Sequence, residues 1–239
     1  MGAESSRSSS LPRNIDDYRE LIKSYWNSTK YQDNVVNNAE HTTIDIDKLI
    51  YAGYLLSNYF HNNKFTTINI LEIGCGSGLA SRIIYEQLTS KNNINMISTE
   101  LQSTGDTSHN NIHFEYGIDS IDAVQKYGEY CNVLMMISPP PGGLETSYIK
   151  SPADITSDNA FYMDYFAVND FYHMKKKLFH DLYVVIIGEL GASDGTIGIY
   201  KYFFDQDSIW TNIYKKDIDK YKDMFGCDCT KTLYIFKNK

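Results

Sequence analysis

The sequence predicts a doubly wound α/β domain with a seven-stranded, mostly parallel sheet, an antiparallel last strand and helices at its N-terminus. Short apolar runs alternate with helical patterns between residues 68 and 187, which is typical of parallel strands joined by crossover helices. After Gly188 this alternation stops, and the last apolar run, Leu233–Phe236, favours a strand that closes the sheet in the antiparallel direction.

Composition and charge favour a globular protein that does not bind nucleic acids broadly. The chain has 239 residues, of which 42% are hydrophobic, as expected for one globular domain. Its net charge of −8 argues against broad nucleic-acid binding, although one nucleotide in a pocket is compatible with it. We expect no transmembrane segment, no secretory signal and a cytoplasmic location. The 20 tyrosines are typical of an AT-rich genome, such as that of a virus.

The four cysteines predict reduced thiols. They are scattered along the chain, and no second pair or histidine cluster accompanies the Cys-Asp-Cys of residues 227–229, so we predict no metal site. The cysteines are Cys75, Cys131, Cys227 and Cys229.

The N-terminal quarter predicts a tail followed by helices. Residues 1–14 are polar and serine-rich, and we expect a disordered tail. Gly2 lies where an N-myristoylation signal would need it, but a plain flexible tail is favoured. Helical spacing of apolar residues then predicts helices at Ile15–Trp26 and Ile44–Phe60. We expect residues 15–62 to form a helical extension before the main domain, residues 63–239.

The main domain follows an alternating pattern. Five apolar runs predict parallel strands at Ile68–Ile73, Asn95–Thr99, Ile112–Tyr116, Val133–Ile137 and Leu182–Ile187. Helical patterns between them cover Leu79–Leu88, Ser120–Tyr127 and Phe161–Phe179. Two further strands are predicted at Ile209–Tyr214 and Thr232–Phe236, with a short helix at Ile218–Met224 between them.

A glycine-rich turn, in the stretch ILEIGCGSGLASRII, follows the first strand. Glycines spaced as G-x-G-x-G let the backbone approach a ligand at the carboxyl edge of a parallel sheet. A dinucleotide fingerprint would need another glycine where the chain has Leu79, so a NAD-dependent oxidoreductase is the weaker interpretation. Glu72 lies near the end of this strand, and Glu100 ends the next one. A carboxylate at Glu100 suits ribose hydroxyls, which favours a nucleoside cofactor without a pyrophosphate.

LEIGCGSG resembles the first motif of class I S-adenosylmethionine-dependent methyltransferases, and the resemblance extends over residues 49–236. It implies a Rossmann-like fold, S-adenosyl-L-methionine as the cofactor, and a methyltransferase domain at residues 63–239. In that family the glycine turn approaches the methionine and ribose portions, the acid after the second strand binds the ribose, and the segment after the third strand contacts adenine. The cofactor-binding residues so implied are Glu72, Gly74, Cys75, Gly76, Gly78, Glu100, Leu101, Ile118, Asp119, Ser120 and Ser138.

For Glu100 and Asp119 the alternative is a helix N-cap or a surface carboxylate at a strand end. Either carboxylate alone fits both interpretations equally well. Their order after the glycine turn favours the cofactor site.

The fourth strand ends in NVLMMISPPPGG. Its Ser138-Pro139-Pro140 resembles the [Asp/Asn/Ser]-Pro-Pro-aromatic motif of amino-methyltransferases acting on nucleobases, in which the polar side chain and a following carbonyl hold the amine. Pro141 replaces the aromatic residue, so a strand exit stiffened by prolines is the alternative. The second half of the chain also resembles a little-characterised group of class I methyltransferases with a Pro-Pro element after strand four.

Glu189, after the fifth strand, is predicted to orient the acceptor or take its proton, and a loop glutamate paired with a lysine is the alternative. The predicted catalytic residues are Ser138, Pro139, Pro140 and Glu189. Asp194 is predicted to form a turn with Gly195. We expect methyl transfer to a nitrogen or oxygen of a small molecule, nucleotide or RNA. The alternative from another class is a catalytically inactive binding or scaffold protein with this fold.

Overall fold

The computed structural model describes residues 44–89, 91–101, 111–139, 163–175, 181–190, 194–195, 197–222 and 228–239. Several predictions lie outside these ranges. They concern the tail with Gly2, the helix at Ile15–Trp26, Pro140 with Pro141, and Cys227.

Five helices and seven strands make up the described part of the chain, with a short 3₁₀ turn at Gly128–Tyr130. The helices are α1 (Ile46–Asn62), α2 (Leu79–Thr89), α3 (Ser120–Tyr127), α4 (Met163–Lys175) and α5 (Ile197–Phe204). The strands are β1 (Ile68–Ile73), β2 (Ile94–Glu100), β3 (Ile112–Tyr116), β4 (Val133–Ile137), β5 (Tyr183–Gly188), β6 (Trp210–Lys222) and β7 (Asp228–Asn238). None of these helices is both long and apolar enough to cross a membrane.

All seven strands form one sheet in the order β3-β2-β1-β4-β5-β7-β6. Strands β1 to β5 pair in parallel, whereas β7 runs antiparallel to both of its neighbours, β5 and β6. The predicted doubly wound, mostly parallel sheet with an antiparallel last strand is therefore confirmed. Because β1 to β5 are parallel, their carboxyl ends meet at one edge, where this class of sheet binds ligands.

The core has two layers because successive strand residues point to opposite faces of the sheet. On β5, Val185 and Ile187 join the cluster that includes α1 and α2. Val184 and Ile186 join the second cluster, which includes α3, α4 and α5. The central strands are thus buried on both faces, and their near-continuous apolar runs made them predictable. Whether α1 belongs to a separate extension, with the domain starting at residue 63, stays a prediction.

The predicted helix at Ile218–Met224 is wrong. Residues 218–222 belong to β6, which continues past the predicted strand end at Tyr214 and pairs with β7 through two register shifts. This edge strand buries few side chains, among them Trp210 and Ile218, so its sequence lacks a continuous apolar run. Its partner β7 lies further along the chain, and local periodicity does not reveal that pairing. The apolar helix α5 was not predicted either.

Candidate active site

The glycine turn after β1 leaves open space beside its backbone. Gly74 and Gly76 have φ angles of +71° and +56°, in the left-handed region that favours glycine. A Cβ atom at either position would meet nothing within 4 Å. At Gly78, by contrast, a Cβ would lie 2.7 Å from Cε1 of Phe114. The first two glycines therefore border a space that a ligand can fill, and the third packs against the protein.

Glu100 connects this turn to the ends of β2 and β3. Its Oε2 accepts the Gly76 N–H at 2.9 Å, and its Oε1 accepts the Leu101 N–H at 2.7 Å. Its backbone carbonyl accepts the N–H groups of Gly117 and Ile118 at 2.9 and 3.3 Å. The predicted residues after β1, β2 and β3 are thus brought together at one edge of the sheet. A carboxylate accepts hydrogen bonds through both of its oxygens, so ligand hydroxyls are suitable partners for a group of this kind.

Glu72 is a buried carboxylic acid beneath the turn. Its Oε2 accepts a 2.6 Å hydrogen bond from the Ser98 hydroxyl, whereas its Oε1 has no hydrogen-bond partner among the described residues. Burial raises the pKa of Glu72 to about 7, the Ser81 and Ser98 hydroxyls oppose the rise, and the Glu100 carboxylate adds to it. Glu72 and Glu100 are therefore near enough to repel each other, and a cation placed beside them would stabilise both.

Glu72→Gln is expected to stabilise the ligand-free protein at neutral and alkaline pH. The pKa of this carboxyl is about 7 in the folded chain against an ordinary 4.5, so the folded protein holds a proton that the unfolded chain has lost. Stability therefore falls as the pH rises from 4.5 to about 7. At higher pH the buried anion costs roughly 3 kcal/mol, which the glutamine avoids.

Urea unfolding of both proteins between about pH 5 and about pH 8 measures this difference. The advantage of Glu72→Gln should grow with pH and vanish at the acidic end. Glu115→Gln is the control, because the pKa of half-buried Glu115 is lowered by its hydrogen bond from Lys126. A constant difference between wild type and Glu72→Gln at every pH would show that Glu72 has an ordinary pKa.

Other predicted cofactor residues also have structural partners. Asp119 is the N-cap of α3, and its Oδ1 accepts the N–H groups of Ile121 and Asp122 at 2.9 and 2.8 Å. Asp119 is thus a helix N-cap, as the alternative interpretation predicted. An adenine contact by this segment, including Ser120, stays a prediction. Cys75 is buried in the turn, and burial together with the Glu72 and Glu100 carboxylates raises its pKa, so its thiol is neutral.

The predicted acceptor segment follows β4. Ser138 has a φ of +44°, an uncommon conformation for a residue with a side chain, and such strain concentrates at functional sites. Its N–H donates to the Ile187 carbonyl at 2.7 Å. The carbonyl of buried Pro139 accepts the Gly195 N–H at 2.7 Å. One lone pair of the carbonyl that could hold an acceptor amine is therefore already used within the protein.

Glu189 accepts hydrogen bonds from the last two strands. Its Oε2 accepts from the Tyr221 hydroxyl at 3.2 Å, and its Oε1 accepts the Thr230 N–H at 3.1 Å. These contacts draw the carboxylate towards β6 and β7, which lie on the side of β5 away from β4. A role for Glu189 at the acceptor stays a prediction, and its described contacts are those of a loop anchor.

The sequence did not reveal the buried ion pair next to Glu189. Lys231 on β7 donates to Oδ2 of Asp194 at 2.5 Å, and both side chains are buried. The same oxygen accepts the Glu189 N–H at 2.6 Å. Asp194 thus does more than form a turn with Gly195. The only sequence signal was a lysine directly before the predicted strand Thr232–Phe236, and it gives no information about its partner.

No family model matches this chain, and no curated protein matches it significantly. Solved structures with a similar fold include a putative class I S-adenosylmethionine-dependent methyltransferase from Listeria monocytogenes, with TM-score 0.48, 10% identity and coverage of 93% of this chain and 68% of that one. A second is a 1,6-didemethyltoxoflavin-N1-methyltransferase from Burkholderia thailandensis, with TM-score 0.46, 9% identity and coverage of 96% and 92%. A third is the N-methyltransferase NodS from Bradyrhizobium japonicum, with TM-score 0.43, 13% identity and coverage of 77% and 85%. Sequence identities of 9% to 13% show no more than a similar fold.

Proposed function

We propose that this protein binds S-adenosyl-L-methionine at the glycine turn and transfers its methyl group to a nitrogen or oxygen acceptor. The observation that carries the proposal is the meeting of two carboxylates, Glu72 and Glu100, at a turn whose Gly74 and Gly76 face open space. The resemblance of LEIGCGSG to the first methyltransferase motif supports it, as does a sheet of the kind that this resemblance implies.

Charge separates the candidate cofactors. S-adenosylmethionine has an ammonium and a sulfonium group, and a cation near the buried Glu72 would favour the ionised form of this carboxyl. The pyrophosphate of NAD would instead place negative charge beside Glu72 and Glu100. The acidic turn therefore favours a cationic nucleoside over a dinucleotide, in agreement with Leu79 at the position where a dinucleotide motif needs glycine.

The chain's own residues would mainly bind the cofactor and position the acceptor. Bound S-adenosylmethionine supplies an electrophilic methyl group, so an amine acceptor needs little more than alignment and exclusion of water. Ser138 lies at the carboxyl end of β4, next to that of β1, with its strained backbone held by Ile187. We assign its hydroxyl to orienting the acceptor. The Gly195 N–H holds Pro139 in place behind it.

Isothermal titration with S-adenosylmethionine, S-adenosylhomocysteine and NAD in parallel tests the cofactor assignment. Micromolar binding of the two adenosyl ligands, with no binding of NAD, is expected. Binding of S-adenosylmethionine near pH 7 should also release protons, because the ligand lowers the pKa of Glu72. Titrations in buffers with different ionisation enthalpies measure that release. Binding of NAD alone would support an oxidoreductase instead.

Ser138→Ala is expected to keep cofactor affinity and to lower turnover by roughly tenfold or more. The acceptor is first sought by supplying labelled S-adenosylmethionine with small molecules, nucleotides and RNA. Ser138→Gly is the matched control, since it removes the same hydroxyl but relieves the positive φ angle. Equal losses of turnover in both variants would identify the hydroxyl as the functional group. An equal loss of cofactor affinity would place Ser138 in the cofactor site instead.

The second candidate function is a binding or scaffold protein without methyl transfer. Two observations favour it: Pro141 stands where the nucleobase motif has an aromatic residue, and the Pro139 carbonyl already accepts a hydrogen bond within the protein. This alternative predicts cofactor affinity without labelling of any acceptor in the panel. Product formation on any acceptor, with lower turnover in Ser138→Ala, would exclude it.

A further inference from the structure

α1 has an apolar outer face in addition to the face that it buries. Eight large hydrophobic side chains are exposed in the described part of the chain, and four of them lie on this helix, each between 39% and 56% exposed. We call these four the α1 stripe: Ile46, Ile50, Tyr51 and Tyr54. Single exposed apolar side chains are normal, whereas a group on one helix face marks an interaction site.

α1 is apolar on two opposite sides. Ile46, Ile50 and Tyr54 recur every fourth residue, so they lie above one another over about 12 Å of the helix. On the other side Leu56 and Phe60 are fully buried in the core. A helix that is apolar on opposite sides is typical of one packed between two layers. On the outer side, Lys91 lies over the Tyr54 ring, with its Nζ 5.5 Å from the ring centre, and the four stripe side chains are still 39% to 56% exposed.

The occupant that the sequence offers is the N-terminal segment of the same chain. Ile15–Trp26 predicts an amphipathic helix, with Ile15, Tyr18, Ile22 and Tyr25 on one face. A helix of this length is marginal in water, so its apolar face needs a partner. The described chain begins at Ile44, two residues before Ile46, the first residue of the α1 stripe.

We propose that Ile15–Trp26 docks as a helix on the α1 stripe. The connecting residues, 27–43, can extend over roughly 55 Å, so chain length does not limit the contact. The tether also gives the segment an effective concentration near the millimolar range, at which a modest apolar contact is populated. This inference is independent of the proposed enzymatic function, because none of its residues belongs to the cofactor or acceptor site.

Limited trypsin digestion of the full chain tests the docking directly, because Arg19 and Lys23 are cleavage sites inside the proposed helix. Ile50→Asp, far away in sequence, is expected to accelerate cleavage after these residues by roughly fivefold or more, since an undocked segment is open to the protease. Tyr130→Asp is the matched control, as Tyr130 is also exposed but lies on the 3₁₀ turn that precedes β4. It should leave the cleavage rate unchanged.

A double-mutant cycle in the full chain gives the second readout. Ile22→Asp and Ile50→Asp should each lower Tm by roughly 3–6 °C, and the double variant should lose little more. Ile50→Ala gives the same comparison with a smaller apolar loss. Equal cleavage in wild type, Ile50→Asp and Tyr130→Asp, or additive losses of Tm, would overturn the proposal. A third outcome would also overturn the proposal. If Ile50→Asp leaves the cleavage rate unchanged but abolishes a concentration-dependent association of the protein, the stripe binds a second copy of the chain.

Discussion

Gly76→Val is expected to abolish S-adenosylmethionine binding, with a loss of affinity of roughly a hundredfold or more. The valine side chain would fill space in which a Cβ meets no protein atom within 4 Å, and which we assign to the ligand. A β-branched residue at a φ of +56° is also strained, by about 1–3 kcal/mol. Titration with S-adenosylhomocysteine measures the affinity, and thermal unfolding measures the strain.

Gly195→Ala separates these two effects. Gly195 has a φ of +72° and lies in the turn after β5, so alanine there introduces backbone strain. Its Cβ would also lie 3.0 Å from Cδ2 of Leu190, which adds crowding that Gly76 does not have. This control should lose stability and keep cofactor affinity. Undiminished affinity in a folded Gly76→Val protein would remove the glycine turn from the cofactor site. Equal losses of affinity in both variants would attribute the effect to stability alone.

Lys231→Met is expected to destabilise the protein by about 3–5 kcal/mol, because it leaves a buried carboxylate without its cation. Asp194 and Lys231 are both buried, and burial raises the pKa of Asp194 while Lys231 opposes the rise. Without the lysine, the pKa of Asp194 should rise further. The destabilisation is therefore largest at neutral pH and smaller in acid, where the carboxyl is protonated. Urea unfolding at two pH values measures both quantities.

The double variant Asp194→Asn with Lys231→Met is the control. It removes both charges, and the asparagine oxygen can still accept the Glu189 N–H. Stability should therefore recover most of the loss, as is common when a buried ion pair is replaced as a unit. A double variant as unstable as Lys231→Met would show that the lysine contributes through packing and not through charge.

The strands that could be predicted are those with an apolar pattern in their own sequence. β1, β3 and β4 have the predicted bounds, and β5 differs by one residue at each end. β4 and β5 are buried on both faces, which requires uninterrupted apolar residues, whereas β3 is an edge strand of which only Ile112 is buried. The glycine turn was equally predictable, since left-handed backbone angles favour glycine. Glu72 and Glu100 were predicted by their places at strand ends, although their mutual repulsion needed the three-dimensional structure.

The features that escaped prediction depend on partners far away in sequence. Asp194 and Lys231 are 37 positions apart, and neither has a local pattern that indicates burial. The second half of β6 owes its strand conformation to pairing with β7, as Tyr221 does opposite Cys229. Periodicity in one segment contains no information about such a neighbour, so its polar residues were compatible with a short helix.

The position of β7 between β5 and β6 has a consequence for biosynthesis. During translation β6 leaves the ribosome before β7. Because β7 is the strand that joins β6 to the sheet, β6 has no hydrogen-bonding neighbour until β7 has been synthesised. An unpaired strand of this length is open to wrong partners. The charged side chains of β6, Lys215, Lys216, Asp217, Asp219 and Lys220, would keep the nascent segment hydrated during that interval. The same polarity that concealed β6 as a strand would thus protect it from aggregation until its partner emerges.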